Sequence, residues 1–154
     1  FVNVTKDNNL SLINNLQERN MPSEIEMWDL YWTAGTAVGI YFAALAFLVW
    51  VSFRAANMVG DTDNTIGKVA VTVFCLTIDW NMLVNNAFFQ WIQNSAGGVF
   101  VAMQEQGATL SPGAQTIIAN SQPGLEFNLI PDLVGGLFLA AIVVMQMSSI
   151  WMKK

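Results

Sequence analysis

Three stretches of this chain are apolar over lengths that match a bilayer. Leu30 to Phe53 carries no charge, and its 24 residues make about 36 Å of helix, enough to cross the hydrocarbon. Val69 to Ile92 holds one charged side chain, Asp79, and Leu129 to Met152 holds one, Asp132. Trp28, Tyr31 and Trp32 mark one end of the first stretch, and Trp50, Phe53 and Arg54 the other, where aromatic belts and basic anchors meet the interface. The pattern predicts an all-α integral membrane protein with three transmembrane helices, at about 30–53, 69–92 and 129–152. They form a single membrane domain over 28–154.

Polar segments surround these spans. Residues 1–27 are rich in asparagine, and Leu10, Ile13 and Leu16 are spaced like one face of a short amphipathic helix. Met21-Pro22-Ser23-Glu24 reads as a break followed by a helix start, with Ser23 as cap and Glu24 and Glu26 in the first turn. A polar connection is expected over 55–68 and a longer polar loop over 93–128. Gly97-Gly98, Ser111-Pro112-Gly113 and Gln122-Pro123-Gly124 are turn signals in that loop. Short helices are expected between them, at Val99–Gln106 and Ala114–Ala119.

Within the second span the polar residues are ordered. Thr65, Thr72, Asp79, Asn86 and Gln93 recur at every seventh position and fall on one helical stripe. Asn81 and Asn85 form a second pair at i, i+4. A carboxylate at mid-membrane depth costs roughly 3 kcal/mol on insertion scales, so Asp79 is expected to face protein or water. The leading expectation for Asp79 is hydrogen bonding between helices. A proton or cation pathway comes second, and a ligand or headgroup contact third. Two polar faces on one helix imply neighbours on two sides, and three spans are expected to be too few to serve both. Oligomerisation or residence in a larger membrane complex follows. Gly35, Gly39 and Ala43 in the first span, and Gly135, Gly136 and Ala140 in the third, are small-residue strips that let another helix approach closely.

Composition narrows the chemistry. Hydrophobic residues make up 54% of the chain and charged ones 11%, against about 25% charged in ordinary soluble domains. The net charge of −5 gives no footprint for nucleic acid. With no histidine and one cysteine, Cys75, histidine-ligated metals, Ser–His–Asp triads and internal disulfides are excluded. Glu105, Glu126 and Asp132 lack a positioned base, nucleophile or metal partner, so neither a catalytic residue nor a metal site is expected. Cys75 reads as a small buried hydrophobe.

Basic residues set the expected orientation. Arg54, Lys68, Lys153 and Lys154 lie on one side, against Lys6 and Arg19 on the other. The positive-inside rule therefore puts the N-terminus outside and the C-terminus in the cytoplasm. The chain starts at Phe1, which is expected to follow removal of a leader. Asn3-Val4-Thr5 and Asn9-Leu10-Ser11 are glycosylation sequons on the expected outer side.

In its order of elements the chain resembles the small membrane proteins of the IcmC/TraQ type, found in type IVB secretion and conjugation systems. Asn14-Asn15-Leu16, Met21-Pro22-Ser23 and Ala37-Val38-Gly39-Ile40-Tyr41-Phe42 carry the likeness, over about a third of the chain. Only Arg54 and Lys68 stand where the family is basic after its first span, and the third span lacks the family's Arg-Gly pair. The resemblance implies a structural part of a transfer apparatus, of the kind that a processed, pilin-like subunit forms by polymerising with phospholipid into an extracellular filament. It implies no other cofactor and no catalytic residue. The residues by themselves leave three expectations: a non-enzymatic structural membrane subunit that oligomerises, an accessory subunit of a respiratory, photosynthetic or monooxygenase complex, or an oligomeric ion or proton channel using Asp79.

Overall fold

The structure is a computed structural model that describes residues 22–152. The expected amphipathic helix before residue 22, its two sequons and the lysines at 153–154 lie outside the described residues. Within them the chain is four helices and no strand: α1 (Glu24–Gly60), α2 (Thr65–Glu105), α3 (Pro112–Asn120) and α4 (Leu133–Trp151). Each starts on a side-chain cap that satisfies an otherwise unpaired backbone N–H. Ser23 accepts from Glu26 N while the Glu26 carboxylate accepts from Ser23 N at 2.7 Å, a full capping box. Asn64 caps α2, Ser111 caps α3 with Pro112 in its first turn, and Asp132 caps α4 through Gly135 N at 2.6 Å.

Three of these helices, α1, α2 and α4, are long and apolar enough to cross a membrane. α1 and α2 run antiparallel, because Ser52 lies by Cys75 and Tyr41 by Asn81. α4 returns parallel to α1, with Trp151 beside Thr72 and Gln146 beside Ser52.

Three boundaries differ from expectation. The first connection shrinks to 61–64, because α1 runs on to Gly60. The second polar loop begins late, because α2 passes straight through Gly97-Gly98 and ends at Glu105. There is thus no separate Val99–Gln106 helix and no turn at the glycine pair. A glycine costs only about 1 kcal/mol inside a helix, and packing repays it here. Ala96, Phe100 and Met103, at i, i+4 and i+7, bury one stripe of α2 against Met27, Leu110 and Ala114. Trp28, Tyr31, Val99, Ile117 and Ile118 close around them. Residues 93–105 add about 20 Å of helix beyond the apolar span, and α3 folds back over that extension as a small capping core.

Glu24 ties α1 to this cap, accepting from Trp28 Nε1 and from Ser111 N, both at 3.1 Å. The other turn signals hold. Ser111-Pro112-Gly113 starts α3, and Leu125 N closes on Gln122 O with Gly124 at φ 82°. The third helix, expected at about 129–152, starts at Leu133, with Pro131 and the capping Asp132 ahead of its first turn.

Gly97 is where the cap and α2 touch. A Cβ there would come within 2.7 Å of Ser121 Cβ, whereas one at Gly98 would meet nothing nearer than 4.0 Å. Gly97→Ala is expected to destabilise the cap by about 1–3 kcal/mol. Gly98→Ala should be neutral or stabilising, since alanine favours helix. Tryptophan fluorescence of the folded chain on denaturant titration, with limited proteolysis of the 106–124 connection, reports the difference. Equal behaviour of the two variants would refute the close approach.

Candidate functional site: a polar junction between three helices

The two polar faces of α2 have different neighbours. The stripe of residues spaced seven apart follows α4 and then α3. Thr72 Oγ1 accepts from Trp151 Nε1 at 3.1 Å, Asp79 lies beside Gln146, Asn86 lies against Gly135, and Gln93 Nε2 reaches Asn120 O at 3.4 Å. The second face turns to α1, where Tyr41 donates to Asn81 Oδ1 at 3.1 Å. Three helices of one chain therefore serve both faces. α4 and α1 take one face each, so each polar face has a neighbour within the chain.

At the centre, α1, α2 and α4 contribute Ser52, Asp79 and Gln146. Ser52 and Gln146 are fully buried, and Asp79 is 7% exposed. Gln146 Nε2 donates to Ser52 Oγ at 2.8 Å, and that hydroxyl donates to Val49 O at 2.6 Å. One turn away, Cys75 is buried between Ala56 and Ile150, its thiol 3.9 Å from Ser52 O, which bears out the reading of a small packed side chain. Gln146 is close enough to act on Asp79, yet no hydrogen bond of normal geometry joins them. Asp79 Oδ1, Asp79 Oδ2 and Gln146 Oε1 are buried without a partner. In this geometry Asp79 makes none of the interhelical hydrogen bonds expected of it.

Ser52 and Gln146 were not among the expected site residues. Gln146 is the single carboxamide in the apolar run of α4, and that isolation is the signal that points to it.

The small-residue strips fare unequally. Gly135 is occupied: a Cβ there would crowd Asp132 Oδ1 at 2.8 Å and approach Asn86 Nδ2 at 3.7 Å. Gly136 rests against Pro131, and Ala140 is exposed. A Cβ added at Gly35 or Gly39 would meet nothing within 4 Å, and Ala43 is exposed. The strip borders a groove of about 270 Å³ lined by Val38, Phe42, Asn85, Asn86 and Phe89. A second groove, of about 370 Å³, lies on the other side of Val38 and Asn85 and reaches Tyr41, Asn81 and Phe88. Asn85 is 5% exposed and lines both.

No group of three or more potential metal-binding acids or cysteines occurs among the described residues. The fold and junction define an all-helical chain with three helices able to cross a membrane, joined around a buried carboxyl–carboxamide–hydroxyl set. No protein-family model, curated protein or solved structure matches it.

The junction's hydrogen bonds differ in depth, and their strengths should differ accordingly. Ser52→Ala strands the buried Gln146 Nε2 and is expected to lower stability by about 1–2 kcal/mol. Thr72→Val strands the half-exposed Trp151 indole, which water or lipid headgroups can satisfy, and should cost less. Thermal unfolding of both variants in one detergent tests the order.

Proposed function

We propose that this chain is a non-enzymatic structural subunit of a membrane assembly, built by packing copies of itself helix against helix. The observation that carries the reading is the open Gly35–Gly39–Ala43 strip on α1, beside a groove that Asn85 lines. In lipid there is little hydrophobic force between helices. Association relies on close backbone approach at small residues and on polar groups seeking partners across the contact.

The chain carries a second strip of small residues on α4, in which Gly136 is half-buried beside Pro131 and Ala140 is exposed. Two distinct strips on one subunit suit head-to-tail packing of copies, which closes as a ring or continues as a filament. That geometry favours a second copy over an unrelated helix as the occupant. Insertion in a membrane, with the N-terminus outside and the C-terminus in the cytoplasm, belongs to this proposal. A secretion or conjugation setting, with extracellular filaments and bound phospholipid, rests on the family resemblance alone.

Residence in a membrane enzyme complex is the competing reading, and it predicts co-purifying polypeptides of other sequence. Native mass spectrometry of the chain extracted in mild detergent separates the two. Homo-oligomers that Gly39→Leu reduces tenfold or more, with helix content unchanged, are the expected result. A monomer at all concentrations, or an oligomer indifferent to Gly39→Leu and Ala140→Leu, would reject self-assembly through these strips.

A further inference from the structure

We propose that the junction of Asp79 and Gln146 is an intramembrane proton-binding site, in which the Asp79 carboxyl O–H donates to Gln146 Oε1. The argument is one of missing positive charge and missing donors. Three oxygens, Asp79 Oδ1 and Oδ2 and Gln146 Oε1, are buried with no hydrogen bond. Of the donors nearby, one Gln146 Nε2–H goes to Ser52 Oγ, the Ser52 hydroxyl to Val49 O and the Cys75 thiol toward Ser52 O. The second Gln146 N–H, the one donor left, makes no hydrogen bond of normal geometry to Asp79. One added proton supplies a donor to the carboxyl and a partner to the carboxamide oxygen at once.

Turning the carboxamide end for end does not remove the need. It gives Asp79 one N–H and lets Oε1 accept from Ser52, but the carboxylate keeps a whole negative charge away from water.

No cation of the described chain supplies the balance. Arg54 is exposed and lies 5.5 Å over the Trp50 ring. Lys68 is three turns back along α2, about 16 Å away. The buried side chains of the packed helices along the spans are Leu45, Ser52 and Ala56 in α1, and Ile142, Gln146 and Ile150 in α4. Cys75, Ile78 and Met82 come from α2 itself. Cys75 is the only other titratable group among these residues, and a thiol brings no positive charge. With Asp79 enclosed to this degree, a basic side chain of another subunit cannot reach it without parting the bundle.

The site is specific in its chemistry. Gln146 fixes the direction in which the proton is shared, and Ser52 fixes Gln146. The proton is held between α2 and α4, so gaining or losing it acts on the contact between those helices.

Infrared spectroscopy of the full chain in lipid vesicles, with aspartate carrying ¹³C in its carboxyl group, reads the site directly. At neutral pH in sodium-free buffer a carboxylic-acid C=O band is expected. It should disappear in Asp79→Asn and shift to higher frequency in Gln146→Leu, where its acceptor is gone. Gln146→Leu keeps Asp79 and fills similar volume, so it remains informative if Asp79→Asn fails to fold. An Asp79 signal found only as ionised carboxylate would overturn the proposal, whether or not sodium shifts it. So would an acid band that Gln146→Leu leaves in place.

Discussion

Asp79 sits where α1, α2 and α4 meet, and the rest of the bundle is arranged around the problem it poses. In the membrane setting proposed for this chain, hydrocarbon offers no water to a carboxyl group or to a free backbone amide, so a spanning segment must be helical and its polar side chains must turn inward. Here they do. The Asp79 stripe of α2 faces α4, and Gln146 and Ser52 complete a polar layer one helix deep. Above and below that layer the packing is apolar, with Ala56, Cys75 and Ile150 towards one end and Ile78, Met82 and Ile142 about the middle. Threonine and tryptophan close the layer off at the interface, through Trp151 and Thr72.

A second constraint is the length of α2. Its 41 residues form a rod of about 60 Å, twice the thickness of the hydrocarbon. In the membrane setting proposed for this chain, two different solvents act on one helix. The first half packs through small residues and scattered polar contacts, as membrane helices do. The far end packs through Phe100, Met103 and Ala96 against Trp28, Leu110 and Ala114, as a soluble core does. Glu24 bridges the two regimes by holding the starts of α1 and α3 together. The cap thereby fixes where α1 begins relative to α2, and with it the register that brings Ser52 level with Cys75 and Gln146.

Much of this was legible in the sequence where the signal was local. Scarcity of charge located the three long apolar helices, Ser23 announced the start of α1, and the spacing of Thr72, Asp79 and Asn86 gave the face that α4 covers. The Gly97-Gly98 pair misled for a tertiary reason: its turn propensity lost to the apolar stripe on either side, and Gly97 serves close approach to Ser121. Ser52 and Gln146 stayed hidden because each is a lone polar residue in an apolar run. Only the crossing of α1 and α4 shows that they touch. The meaning of the two polar faces also depended on chain topology, since a return of α4 alongside α1 supplies a neighbour that sequence spacing cannot reveal.

The hold of α4 on the bundle follows from these parts. Across its length it makes two side-chain hydrogen bonds to the other spans, through Gln146 and Trp151, each worth about 1 kcal/mol or less in a membrane setting. Its Leu137, Phe138 and Val144 are exposed, and in the proposed bilayer lipid tails would compete for them on equal terms. Against so small a margin, the charge on Asp79 outweighs any single packing contact. A neutral carboxyl adds a hydrogen bond to Gln146 and draws α4 in. An ionised one leaves a charge that water must reach, and the way for water lies between α2 and α4. The Asn86–Gly135 contact is on the same stripe, two turns along. A shift of α4 at Asp79 would therefore reach the end of the bundle where the Gly35–Gly39 groove opens. If the chain assembles as proposed, proton occupancy and assembly are linked through α4.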